Sequence, residues 1–514
     1  MESMVSSFSG PWAMIEDFNS IKNAGEKSGG KLATESSVNN IRTFITNSTA
    51  IDLGFKGPPF TWTNKREGLA NIKERLDQCL CNQEWQLLFP KAGVTHLCAT
   101  NSDHSPILLD TNFEDEKITR PFRFEAMWKK DESSRKVVDK AWQLQVGGSQ
   151  GFKLARKQTN TKNELKKWNK EHFGNVRERI KVLEKKIEEV QGAEPTKENL
   201  ELEAAFSLEL DDWLAKKSLK WQQKFREIWL KDGDRNSRFF HLTTLVRRRR
   251  NFISDIKQED GSWISGKEAI QEYFNANFQS LYQSSSPQIP ENLEYLIEAC
   301  VSVEENVELC RIPTREEVKK SIFGIKSLKS PGLDGLPALF HKHYWETVGD
   351  QVTLAVHDFF RYGKLLQEFK STFIVLIPKK NGACNFNQFR PISLCNMVYK
   401  AISKILVDRL RPLLVKMVDS AQVAFVPSRC ISENIVLAQE IVHSFRHMKR
   451  KKGFLGVKID FQKAYDRMEW GFILRVLKAF GFNEQFTNLI QQCLSTVHYS
   501  LLLNGGICPA FQPE

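Results

Sequence analysis

Along residues 176–190 the apolar positions Val176, Ile180, Leu183, Ile187 and Val190 recur at spacings of four, three, four and three. That period draws one narrow apolar seam on a helix. The run Gly192-Ala193-Glu194-Pro195-Thr196 breaks it, and a second set (Phe206, Leu210, Trp213, Leu214, Trp221, Phe225, Ile228) resumes helical spacing. The economical arrangement is an antiparallel helical hairpin acting as a connector. Residues 1 to about 115 follow a different rule. Short apolar runs alternate there with turn signals, as in Gly54-Phe55-Lys56-Gly57-Pro58-Pro59-Phe60-Thr61-Trp62-Thr63-Asn64, which predicts the strands and loops of an α/β or sandwich domain.

Farther along, Gln258-Glu259-Asp260-Gly261-Ser262-Trp263 predicts an exposed turn, followed by a helix through Tyr273 and Phe278 and a linker at Ser284-Ser285-Ser286-Pro287. Pro313-Thr314-Arg315-Glu316-Glu317 opens another helix, with Thr314 as N-cap and Glu317 three residues on, the capping-box spacing. Phe373-Ile374-Val375-Leu376-Ile377-Pro378 is an apolar, β-branched strand that ends in Lys379 and Lys380. Phe389-Arg390-Pro391-Ile392-Ser393-Leu394 can pair back on it across residues 381–388, which gathers Lys379, Lys380 and Arg390 where cations could hold a triphosphate or a template backbone. Gly456-Val457-Lys458-Ile459-Asp460 reads as a buried strand delivering a carboxylate to a site edge, with Tyr465 five residues later. The fold class is α+β and multidomain, divided at 1–115, 116–290 and 300–514.

Composition adds a partner. The 514 residues carry a formal charge of +12, and residues 151–250 hold 25 Lys and Arg against 16 Asp and Glu. A basic helical segment of that size attracts polyanions, nucleic acid first among them. With 41% hydrophobic and 11% aromatic residues the chain can fold into packed cores. No apolar run approaches the ~20 residues of a membrane helix, and the N-terminus lacks the pattern of a signal peptide. An intracellular protein, nuclear or cytoplasmic, is expected, with its ten scattered cysteines as reduced core thiols.

The ordered series adds chemistry. Leu328-Lys329-Ser330-Pro331-Gly332-Leu333-Asp334-Gly335, the Lys379-Lys380 strand, Phe389 to Leu394, Val423-Ala424-Phe425-Val426-Pro427-Ser428-Arg429 with Asn434-Ile435, and Ile459-Asp460-Phe461-Gln462-Lys463-Ala464-Tyr465-Asp466 follow one another from about 313 to 514. In that order they resemble reverse transcriptases of LINE-type, non-LTR retrotransposons, closest to the plant-type members. The resemblance implies the fingers and the start of the palm of a right-hand polymerase over 300–514. It makes Asp460 the first aspartate that holds Mg²⁺, with the backbone carbonyl of Phe461 assisting. Tyr465 becomes the gate against a 2′-hydroxyl, Arg390 with Lys379 or Lys380 the triphosphate contacts, and Asp466 a structural carboxylate at a helix start. No aspartate lies between Arg467 and Glu514, and the Asp211-Asp212 pair sits in the amphipathic connector. A chain with one of the needed carboxylates is expected not to polymerise.

The N-terminal region carries a second series. Asp17-Phe18-Asn19, Gly57-Pro58-Pro59-Phe60-Thr61-Trp62, Arg75-Leu76-Asp77 and Ser102-Asp103-His104 resemble the C-terminal half of the endonuclease/exonuclease/phosphatase family, as fused ahead of LINE-type polymerases. The implied fold is part of a two-sheet α/β sandwich. Asp17 and Asn19 would position phosphate and the attacking water, and Asp103 would pair with His104 to activate that water. Glu16 stands where the family carries glycine, and the family's metal-binding glutamate would precede residue 1. In between, Phe122-Arg123-Phe124-Glu125-Ala126-Met127-Trp128, and Trp229-Leu230-Lys231-Asp232-Gly233-Asp234 before Phe239-Phe240-His241, recur in plant-type elements, and Arg247-Arg248-Arg249-Arg250 would touch nucleic-acid backbone. RNA template and DNA target are the implied partners. The alternative is a noncatalytic RNA- or DNA-binding protein using the basic linker and the finger cations.

Overall fold

The structure is a computed structural model. It describes the chain except residues 1–3, 6, 32–34, 100–101, 113–120, 226–242, 245–246, 248–249, 254, 291, 381–382, 448–454, 462 and 514. The segment 229–241 and Arg248 and Arg249 lie outside the described residues.

Residues 13–110 form three small antiparallel sheets rather than two continuous ones. β1 (Ala13–Asp17) and β3 (Ile51–Asp52) flank β6 (Asp77–Cys81); β2 (Lys27–Ser28) and β4 (Trp62–Thr63) flank β5 (Lys73–Glu74); β7 (Gly93–His96) pairs with β8 (Ile107–Asp110). Leu53, Cys79, Cys81, Ala92 and Val94 make one small core beneath them. All ten cysteines are free thiols; Cys79, Cys81, Cys310, Cys493 and Cys508 are core residues, whereas Cys98 and Cys430 are exposed.

Helices α1 (Val176–Gln191) and α2 (Lys197–Phe225) are the hairpin that the apolar spacing predicts. Gln191 bonds Glu203 at 2.6 Å, Lys186 sits over Phe206 and Arg179 over Trp213, an antiparallel order. Part of the basic charge is spent here on packing. Lys216 is buried, 2.7 Å from Asp212, with its ammonium 4.4 Å from the Trp213 ring. The connector does not stand apart from the C-terminal half, because Phe124, Trp128, Trp168 and Trp213 share one core with Phe340, Tyr344, Val352 and Ile402.

A short hairpin, β9 (Asp255–Lys257) and β10 (Trp263–Ser265), leads into α3 (Lys267–Leu281). Helix α4 (Arg315–Phe323) has Thr314 as N-cap, accepting from the backbone of Glu317 at 3.2 Å. The Glu317 side chain takes Arg409 instead of closing the box, and reciprocal capping boxes are found at Ser302 with Glu305 and at Asn385 with Gln388. After α5 (Trp345–Tyr362) comes a four-stranded sheet in the order β12-β11-β13-β14. β11 (Ser371–Pro378) pairs antiparallel with β12 (Phe389–Leu394) and parallel with β13 (His498–Leu503), which turns through Asn504-Gly505 into β14 (Gly506–Phe511). Pro391 is tolerated because β12 is the edge strand. One face of the sheet packs on α3 through Ile270, Phe274, Ile374, Phe389 and Leu501.

Residues 456–460 are not a buried strand. They are exposed and pair with no strand among the described residues; Leu455, Val457, Ile459 and Phe461 are 71–87% exposed. The apolar alternation is present, yet a strand exists only against a partner edge, and β11 already has neighbours on both sides.

Candidate functional site

Two separate centres emerge. In the first, the β11–β12 ladder sets Ile377 opposite Arg390 and continues with Lys379 N–H donating to Gln388 O at 2.8 Å. Lys379, Lys380 and Arg390 are all exposed at this end of the hairpin. Lys379 Nζ also donates to Asn387 O at 2.9 Å, which fixes the turn. Lys463 is part of the same cluster. Its ammonium lies 4.2 Å from the Phe386 ring centroid, between β11 and β12, on a residue with a left-handed backbone (φ 54°). Burial, reinforced by the charges of Arg467 and Lys379, pulls the Lys463 amine down, against the opposing charge of Asp466.

The segment after Asp460 is tied to the preceding linker. Asp466 accepts from the Tyr282 hydroxyl at 3.3 Å, and Glu469 accepts from Ser284 and Ser285. Burial, with Asp466 beside it, pushes the Tyr282 phenol far up. Tyr465 is exposed, edge-on to Phe425 with centroids 6.0 Å apart. Arg429 donates to the carbonyls of Val418, Asp419 and Gln422, and Asn434 to that of Ala421, so these two residues staple the loop that presents Phe425.

Asp460 itself stands on the exposed, unpaired segment, and Phe461 is 77% exposed. Among the described residues no three His, Cys, Asp or Glu side chains converge as a set able to hold a metal ion. These residues therefore do not fit Mg²⁺ at Asp460.

The motif Ser330 to Gly335 has a structural task. Asp334 is half-buried with its Oδ2 shut off from solvent, and desolvation raises its carboxyl to about 6 against the charges of Lys400 and Lys162. The carbonyl of Gly335 (φ 73°) accepts from Phe124 N–H at 2.9 Å, and a Cβ there would stand 2.3 Å from Phe122 O. The Phe122 to Trp128 motif is thereby clamped to the Ser330 to Gly335 loop.

In the second centre, β1 and β6 pair so that Asp17 faces Asp77. His104 Nδ1 lies 3.0 Å from Asp77 Oδ2. Asp103 points elsewhere, accepting the Trp62 indole N–H at 3.0 Å. Burial is the largest single influence on His104 and lowers it, but the bond and charge of Asp77, with the charges of Asp17 and Asp103, outweigh it and leave the imidazole above its ordinary value. Asn19 is exposed with φ 47°, its N–H held by Asp17 Oδ1 at 2.9 Å. Asp77, quoted in the Arg75-Leu76-Asp77 motif but given no role there, is thus the residue that orients His104.

Beneath this centre, buried Arg75 reaches Glu26 at 2.8 Å and both oxygens of Asp52 at 3.0 Å, while Lys22 also pairs with Asp52. Burial alone would raise the Asp52 carboxyl; Arg75 and Lys22 overcome it and hold it well below the usual range. The guanidinium also sits 4.7 Å from the Phe55 ring, which stacks on His96 at 4.1 Å. Burial brings His96 down to about 4. This network braces the corner from which β6 delivers Asp77. Such a centre can hold a proton on His104 and present it toward an anionic phosphate.

Of the arginine run, Arg247 donates to Lys224 O at 2.9 Å and Arg250 is exposed. No helix among the described residues is long and apolar enough to cross a membrane.

Residues 377–509 match the family described as reverse transcriptase (RNA-dependent DNA polymerase). The chain is 30% identical over 278 residues to an uncharacterized 149 kDa protein of transposon TX1 from Xenopus laevis, covering 52% of this chain and 21% of that protein. It is 27% identical over 176 residues to a 115 kDa protein of type-1 retrotransposable element R1DM from Drosophila melanogaster, covering 33% and 16%. It is 25% identical over 134 residues to the Pol polyprotein of type-1 retrotransposable element R2 from Nasonia vitripennis, covering 26% and 13%. The chain spans about a fifth or less of the length of these relatives. The matched stretch runs from the end of β11 into β14, so residues 377–509 are similar to a reverse transcriptase domain, and parts of the chain are similar to proteins of retrotransposable elements.

Proposed function

We propose that the chain is a portion of a plant-type, non-LTR retrotransposon polyprotein, with a nuclease-like part at 1–115, a basic helical linker at 116–290 and the fingers and early palm of an RNA-directed DNA polymerase at 300–514. The observation that carries this reading is the coincidence of the reverse transcriptase match with the β11–β12 hairpin and its exposed Lys379, Lys380 and Arg390. Those cations would contact an RNA template or an incoming triphosphate, and Tyr465 would read the sugar. Asp460 keeps only its position in the Ile459 to Asp466 series, since no other carboxylate converges on it among the described residues. Residues 1–514 contain no aspartate after Asp466, so these residues alone should not extend a primer. Primer extension with Mg²⁺ on an RNA template tests this, and synthesis abolished by Asp460→Ala would sink it.

For the nuclease-like part, the Asp77–His104 pair supports a phosphodiester-handling ancestry with Asp17, Asn19 and Asp103 around it. Cleavage by these residues alone is not expected. Mg²⁺-dependent nicking of plasmid DNA, lost in His104→Ala, would show otherwise. A noncatalytic nucleic-acid-binding role is favoured by the joint exposure of the hairpin cations; its signature is salt-dependent binding that is indifferent to Mg²⁺.

A further inference from the structure

A cleft of about 260 Å³ opens beside Asp103. Its walls come from two distant stretches: Phe60, Trp62, Lys73 and Asp103 from the N-terminal sheets, and Trp263, the first residue of β10. Phe60 and Trp263 meet edge to face, with centroids 6.2 Å apart at 85°. Trp62 gives its indole N–H to Asp103, and its backbone bridges to His104, so the cleft wall and the Asp77–His104 pair share one pair of chain segments.

Trp263 belongs by anchorage to the polymerase side. Its partner strand β9 donates from Lys257 N–H to Cys384 O at 2.8 Å, in the loop between β11 and β12. Ile256 of β9 is fully buried in the core of the four-stranded sheet. The side chain of Asn504, in the β13–β14 turn, pairs with both backbone groups of Ile253. The hairpin therefore carries one aromatic ring from the reverse transcriptase domain to the edge of the nuclease-like centre.

The three rings are each half-buried around open space. Packing between two units would by itself close such rings onto one another. The volume lies below the ~300–1,000 Å³ of sites for drug-sized ligands, which suits one planar ring system, and Lys73 supplies a cation at the rim. Flat aromatic walls with a single cation are the chemistry by which proteins hold unpaired bases, since every base has a π-face to stack. We propose that this cleft takes one unpaired nucleobase of a DNA strand whose backbone passes His104, and that Trp263 couples nucleic-acid position on the nuclease-like centre to the polymerase half. The passage of the backbone rests on the nuclease-like reading; the stacking does not.

The test is fluorescence anisotropy of the 514-residue chain with a labelled oligothymidylate and with an all-abasic strand of equal length. Trp263→Ala should weaken oligothymidylate binding about tenfold, in line with the loss of one base–aromatic stack, while Trp263→Phe binds nearly as well as the parent. Affinity for the abasic strand should not change. Trp263→Leu keeps an apolar cover without a π-face and serves if the alanine variant fails to fold. Equal weakening on both strands, or on neither, would overturn the cleft as a base site. His104→Gln separates the two readings: a backbone that passes His104 makes this variant weaken both strands alike, whereas unchanged binding of both strands with the Trp263 effect intact removes the nuclease-like reading and leaves the cleft standing.

Discussion

His104 Nδ1 lies 3.0 Å from Asp77 Oδ2, while the neighbouring Asp103 gives its carboxylate to the Trp62 indole. One carboxylate thus sets the imidazole tautomer and another braces a ring. Asp77→Asn should lower the His104 titration midpoint, and Asp103→Asn should lower it less, because Asp103 acts on His104 by charge alone. The folded value is raised, so the pairing stabilises the fold below the ordinary histidine value of 6.5 and that contribution fades as pH rises through the folded midpoint. Titration of the imidazole Cε1 proton by NMR measures both variants; an unmoved midpoint in Asp77→Asn would contradict the pairing.

Arg409 holds three elements together. Its guanidinium, 6% exposed, binds Glu317 through two nitrogens at 2.8 and 3.0 Å and donates to Leu309 O and Arg311 O. Glu317 keeps Arg311 at 3.1 Å, while the carbonyls of Leu309 and Arg311 lose a donor, so Arg409→Ala should cost about 1–3 kcal/mol in urea unfolding. The Glu317 carboxyl is depressed: burial, its largest influence, raises it, but Arg409 and Arg311 prevail. Its contribution is therefore full above the ordinary value of 4.5 and lost as pH falls through the folded value. Stability of Glu317→Gln should accordingly vary less with pH in that acid range.

Gly335→Ala tests the clamp between Ser330–Gly335 and the Phe122–Trp128 motif. A left-handed backbone and a Cβ 2.3 Å from Phe122 O both oppose the methyl group. A loss of about 1–3 kcal/mol is expected. A melting temperature equal to the parent's would show that the clamp yields freely.

The exposed hairpin cations predict a salt signature. Lys379→Ala and Arg390→Ala should each weaken RNA binding and reduce the slope of log affinity against log salt by about one. Lys216→Met should leave that slope unchanged, since its ammonium is committed to Asp212 and Trp213.

The β11–β12 hairpin was legible because adjacent segments pair locally, and α1 with α2 because spacing alone defines a helical face. The Thr314 cap was legible too, though Glu317 prefers the charge of Arg409 to the backbone that a box would give it. Residues 456–460 misled because alternation describes a strand's faces and says nothing about its partner. Asp77 was missed in favour of Asp103 because adjacency in sequence suggests contact. Successive residues in an extended segment point to opposite faces, and Trp62 bridges His104 in such a segment. The register that sets Asp17 opposite Asp77 was the available signal.

The parallel pairing of Ser371 with His498 has a consequence for the order in which the chain becomes a protein. During synthesis at ~5–20 residues per second, β11 emerges roughly ten seconds before β13. Throughout that interval one edge of the β11–β12 hairpin, rich in Phe373, Ile374 and Val375, has no neighbour to saturate it. The domain therefore matures late, through a long-range closure of the slow kind, and an open edge during that wait is where a nascent chain would first stick to another copy of itself.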